Sequence, residues 1–267
     1  MALDMPRLGF GTYQLDERDE CVEAVTTALE TGYRHVDTAQ GYDNEAYVGE
    51  AIAESAVDAD DLFVATKLRT DNLGYRDAVE TARASRDRLG LDSIDLLYVH
   101  WPIDTYDPEG TLDALDELVD EGVVDRVGLS NFTPELMDEA MDRLDAPVAA
   151  HQVECHPLLP QEELREHAVA NDYWLVAYSP VARMEVADVP EIREVAARTD
   201  ATPAQVSLAW LLSKENVAAI PKASSRAHVA ENFAARDLEL SDADLARIDA
   251  VDRGHRVVDP DVAPWNQ

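Results

Sequence analysis

Asp37, Tyr42, Lys67 and His100 are the residues in this sequence whose types could do chemistry together. They combine a carboxylate, a phenol, an ammonium and an imidazole. A phenol is a weak acid with an ordinary pKa of about 10. A neighbouring ammonium stabilises the phenolate and is expected to lower that value. Lys67 can supply this charge and Asp37 can hold Lys67 in place. His100 can orient a carbonyl oxygen by a hydrogen bond or share a proton relay. Such a set suits delivery of a proton to a carbonyl oxygen, with a hydride source beside the carbon. The competing reading is a buried Asp–Lys pair with a tyrosine and a histidine beside it by chance. Desolvation offsets the Coulomb gain of buried pairs, so they are weak stabilisers, and the cluster points to function instead.

These residues need elements to bring them together. Eight apolar runs of strand length occupy 8–12, 34–38, 62–67, 95–100, 127–131, 150–154, 174–179 and 217–222. Several are almost continuously apolar, as in Ile94-Asp95-Leu96-Leu97-Tyr98-Val99, which suits parallel strands buried on both faces. Helical spacing fills the gaps: Val22, Val25 and Leu29; Leu112, Leu115 and Leu118; Leu136, Ala140 and Leu144. Thr133-Pro134 and Thr202-Pro203 read as helix starts, and Gly32, Gly90 and Gly122 as helix stops. This βαβα alternation predicts a parallel sheet covered by helices. Eight units favour an α/β fold of the closed (β/α)8 TIM-barrel type over an open doubly wound sheet. The segment 182–195 is less regular and reads as a loop. After Lys222, extra C-terminal helices are expected at 227–235 and 241–251, followed by a short tail. The whole chain, 1–267, reads as a single domain. Strand C-termini then place Asp37, Lys67, His100, Ser130-Asn131, Gln152, Tyr178-Ser179 and Lys222 on one rim, the rim where barrels carry their chemistry.

Composition narrows the partners. The chain carries 55 acidic against 22 basic residues, a net charge of -33. Such a surface repels nucleic-acid phosphates and anionic membranes. No apolar run reaches the roughly 18 residues of a membrane-spanning helix, and Met1-Ala2-Leu3-Asp4 lacks the features of a signal peptide. Cys21 and Cys155 suggest no disulfide framework. A reducing cytoplasm and a monomer are the expected setting and state. With 46% hydrophobic residues the chain can build a core, so the acidity is read as adaptation to high salt, where counterions screen self-repulsion. Only three lysines occur, Lys67, Lys214 and Lys222, and two of them fall at predicted strand ends.

The segments around these residues resemble the aldo-keto reductase superfamily. They are Gly9-Phe10-Gly11-Thr12-Tyr13, Asp37-Thr38-Ala39-Gln40-Gly41-Tyr42-Asp43-Asn44-Glu45, Ala65-Thr66-Lys67, His100-Trp101-Pro102, Gly128-Leu129-Ser130-Asn131-Phe132, Gln152-Val153-Glu154-Cys155-His156-Pro157, Ala177-Tyr178-Ser179-Pro180 and Ile220-Pro221-Lys222. They occur in the family's order. The ending Asp259-Pro260…Ala263-Pro264-Trp265 is similar to small prokaryotic members of the 2,5-diketo-gluconate and methylglyoxal reductase type. The resemblance implies reduction of small aldehydes, α-keto aldehydes or ketones with NADPH or NADH. It implies Tyr42 as acid, Lys67 and Asp37 as its support, and His100 as the carbonyl-orienting group. Ser130, Asn131 and Gln152 would bind the nicotinamide carboxamide, and Tyr178 would stack on the ring. Thr12, Ser179, Lys222, Ser224, Ser225, His228, Glu231 and Asn232 would complete the cofactor site. Tyr13 and Trp101 would wall the substrate pocket, and no metal is implied. Each has a plainer reading: Ser130-Asn131 as a helix cap, Gln152 satisfying backbone groups, and Tyr178, Tyr13 and Trp101 as packing aromatics.

The sequence departs from the family pattern at two places. Many NADPH-dependent members carry Ser at the position of Ala223 and Arg at that of His228. Arginine binds a 2′-phosphate as a permanent bidentate cation, so NADH use is expected here unless Arg226 turns inward to compensate. The short tail suggests an open, tolerant site. Two other functions are weighed. A metal-dependent barrel hydrolase would draw on His35, Asp37, His100, His151 and His156, but no convincing ligand pattern appears. A non-catalytic, cofactor-binding regulatory protein on the same barrel conflicts with the intact Asp37–Tyr42–Lys67–His100 set.

Overall fold

The architecture is that of a computed structural model, which describes residues 5–267; the four residues read for a signal peptide lie outside that range. Elements alternate as β1 (Phe10–Gly11), α1 (Arg18–Thr31), β2 (His35–Asp37), α2 (Glu45–Glu54), β3 (Phe63–Leu68), α3 (Tyr75–Leu89), β4 (Leu96–Val99) and α4 (Pro108–Asp120). They continue as β5 (Val127–Ser130), α5 (Pro134–Arg143), β6 (Val148–Glu154), α6 (Glu162–Ala170), β7 (Trp174–Tyr178), α7 (Pro190–Thr199), α8 (Pro203–Ser213) and β8 (Val217–Ala219). Two further helices follow, α9 (Arg226–Ala234) and α10 (Asp242–Asp249).

The strands are parallel and ordered β1 to β8, and a parallel bridge between Leu8 and Ala219 closes the sheet into a barrel. The seam is thin. Gly9 N–H donates to the Ala219 carbonyl and Gly11 N–H to that of Pro221. Strands read as 8–12 and 217–222 therefore shrink to short pieces, since Pro221 has no N–H for the ladder. The segment expected to be a loop at 182–195 holds a helix in its second half, α7, started by Pro190 at N1. Its first half is a tight turn with Ala182, Arg183 and Met184 all at positive φ, which hides the helical period.

Helix ends follow side-chain chemistry. Thr202 and Gln205 form a reciprocal capping box at α8. Gly32 and Gly90 close α1 and α3 at φ 119° and 70°. The core has two compartments. Outward strand residues such as Val36, Val64, Leu97, Val99 and Leu129 pack with the helix residues Leu112, Leu115 and Leu118. Inward residues Phe63, Ala65, Leu96, Tyr98, Ala150, Val176 and Ala218 fill the lower barrel with Met5 and Ile220. Gly128 is required here: a Cβ on it would lie 2.4 Å from the Tyr98 ring.

Candidate active site

The period of two in a strand makes the site. In β3, Phe63, Ala65 and Lys67 point inward while Val64 and Leu68 pack outward. Apart from His35, inward positions are apolar low in the barrel, and polar ones collect at its top: Asp37 on β2, Lys67 on β3, Ser130 on β5, Gln152 and Glu154 on β6, with His100 just past β4.

Lys67 is completely buried. Its Nζ donates to Asp37 Oδ1 at 2.5 Å and to the Thr38 carbonyl at 2.7 Å. Two of its three N–H groups are engaged by these bonds, and the ammonium lies 5.0 Å from the centre of the Tyr42 ring. The His100 ring stands edge-on to Tyr42 with centroids 5.8 Å apart, and Tyr13 stands on another side at 5.2 Å. The four side chains singled out first are thus brought together from β2, the turn after it, β3 and the end of β4.

The loop carrying Tyr42 is held by its neighbours in sequence. Asn44 donates to the carbonyls of Thr12 and Leu15 and accepts from Thr38. Gln40 donates to Ser85 and accepts from the Arg69 N–H. Glu45 accepts from Thr66, Ser85 and Arg88. None of the three was given a role from sequence. Their signal was there: three polar residues flanking one tyrosine inside a short segment.

Electrostatics assign protonation states. Burial, then the Asp37 charge, holds the Tyr42 hydroxyl well above the ordinary phenol pKa. The expected lowering by Lys67 is not what the structure gives, because burial of the hydroxyl outweighs it. Tyr42 is therefore a phenol at neutral pH. Burial, then the Lys67 charge, pushes His100 down to about 3. It is a neutral imidazole, suited to orienting an oxygen and unsuited to acting as an imidazolium proton source. Burial also lowers the Lys67 pKa, opposed by Asp37.

The residues expected to hold a nicotinamide amide form one chain of bonds. Gln152 Nε2 donates to Asp37 Oδ2 at 2.8 Å, and Ser130 Oγ donates to the Gln152 carbonyl at 2.9 Å. Asn131 Nδ2 donates to Ser130 Oγ and to the His100 carbonyl, and Asn131 Oδ1 accepts from Tyr178. The α5 cap is Thr133, so Ser130 and Asn131 are not capping residues. Gln152 Nε2 is engaged, and its Oε1 is the acceptor that would meet a carboxamide N–H. The free acceptor of this set fits the carboxamide N–H of a nicotinamide.

The far end is looser. Lys222, Ser224, Ser225 and His228 are exposed around the start of α9, where helix amides favour a phosphate. Ser225 Oγ accepts from the His228 N–H as the α9 cap. Glu231 accepts from Thr202 Oγ1, while Asn232 is buried on the inner face of α9. Ser179 sits at positive φ just after β7. Thr12 is fully buried with its hydroxyl on the Asp37 carbonyl. Arg226 donates to Glu30 at 3.0 Å, so it is turned to α1 rather than inward. The imagined metal ligands are scattered: His35 binds the Pro6 carbonyl at the barrel floor, and His151 accepts from the Phe132 N–H.

The mouth is less open than the short tail suggested. Trp265 packs against Trp101 with ring centroids 5.5 Å apart, and Arg256 lies 4.0 Å from the Trp265 ring centre.

Comparison with known proteins agrees with this geometry. The model of the Aldo/keto reductase family matches residues 7–253. Methylglyoxal reductase DkgB of Salmonella typhimurium is 37% identical over 269 residues, covering 99% of this chain and all of its own. An aldo-keto reductase of Mycolicibacterium vanbaalenii is 40% identical over 260 residues, covering 94% and 90%. Among solved structures, an aldo-keto reductase enzyme from a deep-sea metagenome library superposes with a TM-score of 0.92 at 32% identity, covering 96% and 94%. A Bombyx mori aldo-keto reductase in complex with NADP superposes with a TM-score of 0.89 at 29% identity, covering 96% and 92%. The chain belongs to the aldo/keto reductase family, oxidoreductases that reduce carbonyls with NADPH or NADH.

Proposed function

We propose that this chain reduces small aldehydes, α-keto aldehydes or ketones, with Tyr42 delivering the proton to the carbonyl oxygen. The observation that carries the reading is the buried Lys67–Asp37 pair set against the Tyr42 ring, with a neutral His100 on the ring's edge. Bound NADPH or NADH supplies the hydride to the carbonyl carbon. His100 holds the carbonyl oxygen by a hydrogen bond. Tyr42 gives up its proton as negative charge develops there, and the Lys67 ammonium stabilises the phenolate as it forms. A charge fixed where negative charge appears in the transition state is the kind of contribution that lowers a barrier. Asp37 keeps Lys67 in place, and Gln152 keeps Asp37 in place while offering Oε1 to the carboxamide. Tyr13, Trp101 and Trp265 surround the entrance. The name of the Salmonella relative supports an α-keto aldehyde as a substrate class.

We also propose appreciable use of NADH. His228 is an exposed imidazole where a permanent cation would grip a 2′-phosphate, and Arg226 is paired elsewhere. A monomer working in a salt-rich cytoplasm is the proposed state, supported by the net charge of -33 and by two free, buried cysteines.

The test of the reaction is Tyr42→Phe. Reduction of a good aldehyde is expected to fall at least about a thousandfold, in line with loss of a positioned general acid. Cofactor affinity, read by fluorescence titration, stays within about threefold by the same reasoning. A variant that keeps reducing aldehydes at the parent rate contradicts the assignment.

A further inference from the structure

Among the ties of the tail after α10 to the barrel, one buried carboxylate holds two successive backbone amides. Glu154 ends β6 at an inward position and is 1% exposed. Its Oε1 accepts from the Val257 N–H at 2.6 Å and from His156 Nε2 at 2.8 Å. Its Oε2 accepts from the Val258 N–H at 2.9 Å. The weaker ties nearby are the Arg253 and His255 N–H groups on the Leu158 carbonyl and an exposed His255–Glu185 bond. Burying a carboxylate costs several kcal/mol unless its lone pairs are satisfied, and an apolar residue here would fill the space more cheaply. What an apolar residue lacks is a grip on two successive backbone amides of a segment that has no strand or helix to hold it. Directly before those amides is Arg256, which covers Trp265, and Trp265 in turn contacts Trp101.

We propose that Glu154 is a positioning residue that latches the C-terminal tail over the barrel mouth and thereby sets selectivity for carbonyl substrates carrying an aromatic or bulky apolar group. The proposal rests on the reading of Trp101 as a wall of the substrate site. With the latch closed, Trp265 extends that wall and gives such a substrate an indole face to pack on. Compact aliphatic aldehydes fit beside Tyr42 and His100 without it. Glu154 touches neither the reacting atoms nor the proton path.

The test uses the full chain as wild type, Glu154→Gln, Trp265→Ala and the double variant. Glutamine keeps the volume of Glu154 but turns an amide donor toward backbone donors, so at least one bond is lost. Hydrogen exchange at the Val257 and Val258 amides is expected to quicken at least about tenfold in Glu154→Gln and to change little in Trp265→Ala. KM for a benzaldehyde is expected to rise about tenfold in each single variant and no further in the double, because both act through one wall. Meanwhile kcat for a small aliphatic aldehyde stays within about twofold in Glu154→Gln. If Glu154→Gln does not fold, Val258→Pro removes one donor from the tail side, leaves the barrel untouched and carries the same expectations, with exchange read at the Val257 amide alone. Faster exchange with an unchanged KM for the aromatic substrate, or additive losses in the double variant, would overturn the proposal. A wild type that reduces no carbonyl at all would instead defeat the reaction assigned above, while the exchange measurement would still read the latch.

Discussion

Adjacent residues of β3 sit against two ion pairs, each with a buried carboxylate, and only one of the pairs faces the proposed reaction. On the inner side, Lys67 meets Asp37 with side-chain exposures of 0% and 2%. On the outer side, next to Thr66, Glu45 meets Arg88 with Glu45 at 2%. The outer carboxylate is saturated: Thr66, Ser85 and both Nε and Nη2 of Arg88 donate to it. It binds β3 to α3 and holds the loop carrying Tyr42, and nothing reactive stands beside it. The inner pair is closed below by Gln152 and Thr38, but the ammonium keeps an N–H without an acceptor and lies beside a phenol and an imidazole. A buried carboxylate is common to both pairs, but the Arg88 cation is 42% exposed while that of Lys67 is wholly buried. Unused bonding capacity beside a phenol belongs to the inner one alone.

The sharpest way to break this comparison is to remove the cation from each pair. Lys67→Met is expected to lower kcat at least about a hundredfold, the scale for a lost electrostatic stabiliser, with KM for the cofactor little changed. Arg88→Met is expected to leave kcat within about threefold and to lower stability by about 2 kcal/mol, because Glu45 stays buried with a partner missing. Equal losses of kcat would erase the distinction.

Acid separates the two faces less strongly. His100 inside the barrel and His151 outside it are both held near a pKa of about 3, chiefly by burial. The unfolded chain titrates its imidazoles near 6.5, so between those values it binds more protons than the folded chain does. The stability from keeping both imidazoles neutral is complete above pH 6.5 and is lost as pH falls toward 3, each contributing a slope of about 1.4 kcal/mol per pH unit. Urea midpoints at pH 7, 5 and 4 should follow that slope, and His151→Leu should reduce it without a change in the pH dependence of kcat. A flat midpoint across this range would deny the burial of the neutral rings.

Much of this contrast could be read in the sequence, and the reason is geometric. A polar residue closing an apolar run, in step with a period of two, has to sit on the barrel rim. That logic places Asp37, Lys67 and Gln152. The same logic applied two residues past Gln152 points to Glu154, but its partners are amides of a tail some hundred residues later, and no periodicity marks them. The strands at the seam were read too long because apolar content continues past the point where Pro221 ends the ladder. The helix after Pro190 was missed because three left-handed residues before it break the pattern. The rise in the Tyr42 pKa could not be read from residue types, since it depends first on how deeply the hydroxyl is buried and then on how near Asp37 lies.

Smaller effects sharpen the cofactor end against the chemical end. His228→Arg should raise the ratio of kcat/KM for NADPH over NADH about tenfold, the worth of one charged contact to a phosphate, while leaving kcat with NADH unchanged. In the wild type a preference for NADPH above about a hundredfold would contradict the reading of His228. The smallest expected effect is that of salt. Raising KCl should lift the thermal midpoint by screening the net charge of -33, and a midpoint that falls with KCl would remove the case for salt adaptation.

The pH profile of kcat/KM for aldehyde reduction, taken from pH 5 to 11, tests most directly whether the phenol supplies the proton. With Tyr42 held above the ordinary phenol range and His100 pushed to about 3, the profile should be level through neutrality and fall only above about pH 10. An inflection between pH 6 and 8 would contradict this, because it would move the proton from the phenol to an imidazole.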